Sequence, residues 1–343
     1  MKILKQVSFL IIFLILLNAC QTSNNSPKDS GATSTSATVT DQRSQNISRI
    51  VSSSDAGKSW QVLYQTNWLD LANIYCVENL TCYALSEEKS ILKTTDGGTT
   101  WNKLGTEDMA VQSDSPFGCA KGGFCLLIES VTGGKVWVTY DGGNSWTKTG
   151  ESPVDSPESI ACPTSETCIL VSRLGKVFDT QDGGKTWRQD LASNGITYKK
   201  ITCLSESECF IVGMVFAGEF GLVVKTTDGG KSWSEAGKSP VHGLRAISCP
   251  TNNDCMSVGR FGIQNTHDGG QSWTELSGVA ENGARSIGCS SPQNCFIIDG
   301  KGQMYLWNGL SLAKNNVDGA FTLRSVSCTS DAVCYAVGAF TDK

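Results

Sequence analysis

Histidine is almost missing from this chain: His242 and His267 are the only two in 343 residues. That scarcity leaves too few ligands for a histidine-based zinc centre, and no histidine base stands out. A pair of carboxylates set up for acid–base work is not recognisable either. Proline is scarce, 8 residues against 36 glycines, which suits a chain built from many tight hairpins. No segment beyond about residue 47 carries the 3.6-residue period of an amphipathic helix. The longest apolar run, residues 7–17 broken only by Ser8, is too short to cross a bilayer as a helix. Basic residues are not in excess. Removing residues 1–19 takes away Lys2 and Lys5 and no acid, leaving 26 basic and 33 acidic side chains, a net charge of −7. A nucleic-acid partner would need a concentrated basic surface, so none is expected.

Cysteine and a repeated turn are what the chain has in quantity. Of 15 cysteines, the fourteen after Cys20 fall into seven pairs with five residues between. They are Cys76 with Cys82, Cys119 with Cys125, Cys162 with Cys168, Cys203 with Cys209, Cys249 with Cys255, Cys289 with Cys295 and Cys328 with Cys334. Their first members are 43, 43, 41, 46, 40 and 39 residues apart. A period near forty made of short apolar runs is the mark of a propeller array. Residues 245–273 show the whole unit: a Cys pair flanked by apolar runs, a glycine-broken turn, then T-x-D-G-G-x-S-W. Residues 47–343 are therefore expected to form an all-β, seven-bladed propeller of four-stranded blades. The second half of a repeat precedes the first Cys pair, and the first half of one closes the chain. Pairing these halves would complete a blade and remove two exposed sheet edges.

Residues 1–19 read as an export signal with a basic start and an apolar centre. The sequence Leu17-Asn18-Ala19-Cys20 resembles a bacterial lipoprotein box, which implies cleavage before Cys20 and lipid on its thiol; an ordinary signal peptide is the alternative. Residues 21–46 hold eleven Ser or Thr and almost nothing apolar, the composition of a solvated tether with a reach of roughly 30 Å. The expected location is the extracytoplasmic side of a bacterial envelope membrane. In that oxidising setting each Cys pair should close a disulfide that staples its hairpin.

The turn recurs at Asp96–Trp101, Asp141–Trp146, Asp182–Trp187, Asp228–Trp233 and Asp268–Trp273, with a variant at Asp55–Trp60. A seventh place, Asn308-Gly309-Leu310-Ser311-Leu312, lacks both Asp and Trp. The pattern resembles the Asp-box, or bacterial neuraminidase repeat. Its chemistry is architectural: the carboxylate takes up turn N–H groups, the glycines allow positive φ, and the Trp folds over the hairpin. Gly183-Gly184-Lys185-Thr186 and Gly229-Gly230-Lys231-Ser232 look like ends of phosphate loops, but they lack the upstream glycine and the following helix. No cofactor and no metal are expected.

The position four before each first Cys bears most on function. It reads Ala72, Ser115, Glu158, Lys199, Arg245, Arg285 and Arg324, at the entry of each innermost strand to the hub. Four successive blades would thus set cations on one side of a channel mouth, and Arg173 and Arg260 on neighbouring loops could extend the patch. Such a patch suits carboxylates or an acidic peptide. The competing expectation is neutralisation by nearby acids such as Asp190 or Glu281. Residues 213–221 hold Met214, Val215, Phe216 and Phe220, either as a partner anchor or as a plug in the channel.

These features together resemble the seven-bladed photosystem II stability/assembly factor family, over residues 47–343, on blade number, six Asp turns and phrases such as Gly243-Leu244-Arg245-Ala246-Ile247. The resemblance implies a non-catalytic propeller whose arginine-bearing face holds a membrane-protein partner. Seven Cys hairpins are not part of that family's pattern. The rival reading is a carbohydrate-binding or sialidase-like or xyloglucanase-like glycoside hydrolase. Against it, Arg49-Ile50-Val51 lacks the proline of a sialidase start, and a single propeller provides no cleft between two. The chain is expected to be a monomer that binds a protein or peptide.

Overall fold

The computed structural model describes residues 47–340, apart from 68, 132, 217–219, 277–281, 318–320 and 330–331. The export signal, Cys20 and the tether, together with Glu281, lie outside the described residues. Every regular element among them is a strand, and the strands form seven four-stranded antiparallel sheets. Blades are numbered 1 to 7 along the chain, with strands A to D from hub to rim.

Blades 1 to 6 are each built from four consecutive strands. Blade 7 joins strands A and B from Phe321–Cys328 and Cys334–Phe340 to strands C and D from Ile47–Ser53 and Gln61–Thr66. The seam runs in unbroken register from Ile47 opposite Phe340 to Ser53 opposite Cys334. The expected seven-bladed architecture and its closure are thus observed. Closure matters because an open array would leave two long ladders unpaired, ready to recruit another chain.

The strand interiors are apolar on both faces because each blade is covered by two others. Leu126, Ile128, Val136 and Val138 of blade 2 pack against Ile160, Leu170 and Phe178 of blade 3. Comparable clusters fill the other interfaces. At the hub the A strands come closer than most side chains allow. A Cβ added to Gly288 would lie 3.2 Å from Cys328 Sγ and 3.3 Å from the Cys328 nitrogen. Serines replace the missing bulk with inter-blade bonds: Ser286 Oγ accepts from Val326 N (3.2 Å), and Ser327 Oγ accepts from Cys76 N (3.1 Å).

All seven Cys pairs are disulfide-bonded: Cys76–Cys82, Cys119–Cys125, Cys162–Cys168, Cys203–Cys209, Cys249–Cys255, Cys289–Cys295 and Cys328–Cys334. Each joins the end of strand A to the start of strand B. The expected staple on the hairpin is present in every blade, and the strand B sulfurs are in addition core atoms. Cys82, Cys125, Cys168, Cys209, Cys255, Cys295 and Cys334 are all buried. Each belongs to a different one of the seven apolar clusters. Strand B lies between strands A and C and is covered by blades on both faces, so a side chain at its start has no route to solvent. On strand A, by contrast, Cys76, Cys203, Cys249 and Cys328 are only half-buried. The bridges therefore fill the blade interfaces as well as closing the hairpins.

The Asp turns dock on the same hairpins. The N–H of the first turn glycine donates to a carbonyl between the two cysteines, as in Gly97 to Leu80 (3.1 Å), Gly142 to Gly123 (2.8 Å) and Gly183 to Glu166 (2.9 Å). Disulfide hairpins and Asp turns therefore share one face, as a single latch repeated around the ring.

Inside the turn, Thr94 Oγ1 donates to Asp96 Oδ1 (2.8 Å) and accepts from Gly98 N (2.8 Å). Asp96 also accepts from Thr100 N (2.9 Å) and from the Thr100 hydroxyl (2.7 Å). These bonds favour the carboxylate over the acid and hold Asp96 down at about 2. Asp55, Asp182 and Asp228 behave alike. In the degenerate blade 6 turn, Asn308 Oδ1 accepts from Leu310 N (3.0 Å) and Ser311 N (2.9 Å), and Leu312 packs toward blade 5 where other blades place Trp.

The latch has measurable consequences. Trp273 is 8% exposed and its indole N–H donates to the Ala236 carbonyl (2.9 Å), whereas Leu310 is 90% exposed. Trp273→Ala should cost about 3–5 kcal/mol in denaturant unfolding, and Leu310→Ala less than about 0.5 kcal/mol. The turn carboxylates have folded pKa values near 2, below the unfolded value near 3.9. Their contribution is complete above about pH 4 and fades as pH falls toward 2, so acid unfolding followed by Trp fluorescence should occur in that window. Asp96→Asn should flatten that acid limb.

Candidate functional site

A bulge in strand A creates the site. In six blades the strand A–B register slips at one residue: Ala72, Glu158, Lys199, Arg245, Arg285 and Arg324 each stand unpaired between ladder partners. These are the residues four before the first Cys. In an unbroken strand that position would share a face with the apolar residue two before the Cys, because side chains alternate. The bulge absorbs one residue and re-aims the chain. The packing shows it: Leu71 and Ile74, an odd three residues apart, are buried in the same cluster, as are Tyr198 and Ile201, Leu244 and Ile247, and Leu323 and Val326. The bulged residue is thereby released from the blade interface.

These six bulged residues, with Ser115 at the same place in blade 2, line a central cavity of about 400 Å³. Lys199, Arg245, Arg285 and Arg324 thus meet around one opening. Arg173 and Arg260 belong to B–C loops, which bond to D–A loops on that same face: Arg173 N donates to Ser156 O (3.1 Å) and Arg260 N to Gly243 O (3.0 Å).

The six cations are not equivalent. Glu158 Oε1 holds Lys199 Nζ at 2.7 Å, and its Oε2 holds Arg173 Nε at 2.9 Å. Arg173 therefore does not extend a cationic patch; it shares the acid that offsets Lys199. Arg324 Nη2 reaches Asp70 Oδ2 at 3.0 Å on the loop entering blade 1. Arg285 Nη2 donates to the Gly300 carbonyl. Arg245 has no acidic partner among the described residues. Burial first, then repulsion from Arg260 and Arg285, pushes its pKa down. Arg260 also lies over the Phe261 ring (5.1 Å). Among the described residues, Arg245 on blade 5 and Arg285 on blade 6 are thus the strand A cations with no acid beside them.

Asp190, expected to neutralise the mouth, does not reach it. It sits near the rim of blade 3, where its Oδ1 pairs with Arg188 Nη2 (3.0 Å) beside buried Asp179. Burial and the Asp179 charge push it up to about 6. Sequence reasoning did not find Asp70 as a partner, because its contact with Arg324 spans 254 residues.

The described part of residues 213–221 is largely strand and not plain loop, and it does not plug the channel. Strands B and C of blade 4 continue through it as Cys209–Val215 and Phe220–Thr226, paired to Val215 opposite Phe220. None of its described residues lines the cavity. Phe216 is 70% exposed and Phe220 56%, the latter against the His242 ring at 4.9 Å. Phe261, 52% exposed, adds a third aromatic on the adjoining blade. Exposed aromatic rings thus stand by the loop that enters blade 5, Phe261 against Arg260 and Phe220 against His242.

Sequence reasoning also missed Lys200. It is three before the first Cys of blade 4 and lines the same cavity. The equivalent residues elsewhere are Asn73, Pro116, Ser159, Ala246, Ser286 and Ser325, all uncharged. A lysine in an otherwise small or polar register was the available signal.

Residues 158–308, strand A of blade 3 through strand C of blade 6, match the family model for the photosynthesis system II assembly factor YCF48. A solved structure of YCF48 bound to D1 peptide is similar with a TM-score of 0.60 and 15% identity, over 78% of this chain and 93% of that one. YCF48 from Cyanidioschyzon merolae gives 0.61 and 15%, over 78% and 95%. The Niastella koreensis GH74 enzyme gives 0.52 and 12%, over 80% of this chain and 64% of that one. No curated protein sequence matches. At such identities the structural likeness speaks for the fold alone. The chain is an Asp-box, seven-bladed propeller that resembles the photosystem II assembly-factor family.

Proposed function

We propose that this chain is a non-catalytic propeller that holds an acidic segment of a protein or peptide across the channel mouth, tethered to an envelope membrane through lipid on Cys20. The observation carrying this reading is Arg245, which has no acid beside it among the described residues, set beside Arg260 and Arg285 with exposed Phe261 against Arg260 and exposed Phe220 on the adjoining loop. Arginine forks favour bidentate pairing with carboxylates, and exposed aromatic rings supply the apolar contacts that anchor an interface. The structure of YCF48 bound to D1 peptide supports a peptide ligand for this type of propeller. Against hydrolysis, Glu158 at the mouth is committed to Lys199 and Arg173, so it has no free role as acid or base.

The partner should be trapped by crosslinking in native membranes and identified by mass spectrometry. Arg245→Glu combined with Arg285→Glu should weaken its capture at least about tenfold, each lost charge-assisted bond being worth roughly 1.5–3 kcal/mol. Circular dichroism should stay unchanged. Arg324→Glu alone should matter less, since Asp70 already offsets that charge. Undiminished capture by the double variant would remove the mouth from the reading. Cys20→Ser should move the protein from the membrane fraction to the soluble one, and retention in the membrane would exclude the lipid anchor.

A further inference from the structure

We infer that the interior of the channel is an oxyanion site built around Lys200, taking a carboxylate or a comparable small oxyanion. It is distinct from the mouth, because it uses the next residue inward on strand A and not the bulged one.

The wall of the channel is rich in donors and poor in acceptors. Ser159 Oγ accepts from Ile201 N (3.4 Å), Ser286 Oγ from Val326 N (3.2 Å), Ser248 Oγ from Cys289 N (3.1 Å) and Ser327 Oγ from Cys76 N (3.1 Å). Each hydroxyl uses a lone pair to tie one blade to the next, which leaves its proton for the cavity these serines line. Ser325 Oγ donates to Asn73 Oδ1 (2.8 Å), so the Asn73 amide turns its acceptor to the wall and keeps its N–H groups. Lys200 adds the only charge in this ring. Its Nζ has no carboxylate or hydrogen-bond partner among the described residues.

The acids lining the cavity do not supply one. Glu158 is taken by Lys199 and Arg173 at the mouth, and Asp114 is solvent-exposed on the blade 2 loop. An unpaired ammonium inside a protein is costly unless something compensates it. Lys200 is half-buried: part of its surface faces the channel, while the surrounding blades strip it of solvent and push its pKa down. A bound oxyanion would reverse that shift by pairing with the ammonium while the ring hydroxyls complete its coordination. Arg245 and Arg285 stand at the entrance and would draw an anion inward.

The test uses the whole chain in chloride-free buffer. Acylation of Lys200 by dilute acetic anhydride is followed by peptide mass spectrometry against pH, alone and with acetate or inorganic phosphate. Without anion, the midpoint for Lys200 should fall below the ordinary lysine value near 10.4. Either anion should move it upward and slow labelling at least about fivefold. At roughly 100-fold excess over Kd the anion should also raise the melting temperature by about 5 °C. Lys200→Met, which keeps the side-chain volume, should melt higher than wild type without anion and lose the anion-dependent rise. The Arg245→Glu, Arg285→Glu protein, whose entrance no longer attracts anions, should need more anion but reach the same rise at saturation, so the channel site and the partner reading fail separately. Protection of Lys200 by an acidic peptide and not by acetate would assign the carboxylate to the partner; protection by the free anions would assign a diffusible ligand. Labelling indifferent to acetate, phosphate and peptide alike, or an unchanged anion response in both Lys200→Met and Lys200→Gln, overturns the site.

Discussion

The ladder between Ile47–Ser53 and Cys334–Phe340 is the interaction on which this molecule depends. Antiparallel hairpins can be strung along a chain indefinitely, and each extra blade only postpones the question of what covers the last one. Joining the two ends of the domain answers it, since every blade then has two neighbours and every inner strand faces the same axis. The apolar runs, which would be aggregation hazards in an open array, become interfaces. The hub, the channel and the gathering of distant cations are consequences of that one seam.

Two faces of the ring divide the work. On one, a disulfide hairpin and an Asp turn lock together in blade after blade through a single hydrogen bond from turn glycine to hairpin carbonyl. The carboxylates there are spent inside their own turns, which is why their pKa values lie so low and why they offer nothing to a ligand. On the other face, the bulges release one side chain from packing duty in six of the seven blades. That position answers to solvent and ligand and not to the core, and the residues found there differ in size and charge as the buried ones do not.

Electrostatics at the mouth follows neighbour relations around the ring. Glu158 on blade 3 offsets Lys199 on blade 4, and Asp70 before blade 1 offsets Arg324 on blade 7. Arg245 and Arg285 have each other instead. Two arginines with no acid beside them among the described residues thus stand together on blades 5 and 6, although the chain is acidic overall, with a net charge of −5. Local arrangement outweighs net charge here, since the screening length in physiological salt is about 8 Å, shorter than the molecule.

Much of this was legible in residue order. The spacing of fourteen cysteines, the Asp turns and the split terminal repeat are local patterns, and they specified blade number, strand count, disulfide pairing and the way the ring closes. They even singled out the position four before each first Cys. Other features depended on contacts that no local pattern encodes. Spacing paired Cys82 with Cys76, for instance, but only the neighbouring blades bury its sulfur in an interface. Whether a cation is free was decided across blades, as Arg324 with Asp70 shows, and Asp190 turned out to serve blade 3 instead of the mouth. Residues 213–221 read as a loop, yet cross-strand pairing draws Gly213–Val215 and Phe220–Gly221 into strands B and C. The bulge that frees Arg245 leaves no mark of its own in the sequence, because it arises from the fit of Leu244 and Ile247 into one interface. Propensity and spacing act within a hairpin, while charge pairing, register slip and burial are settled only once seven hairpins stand around a common axis.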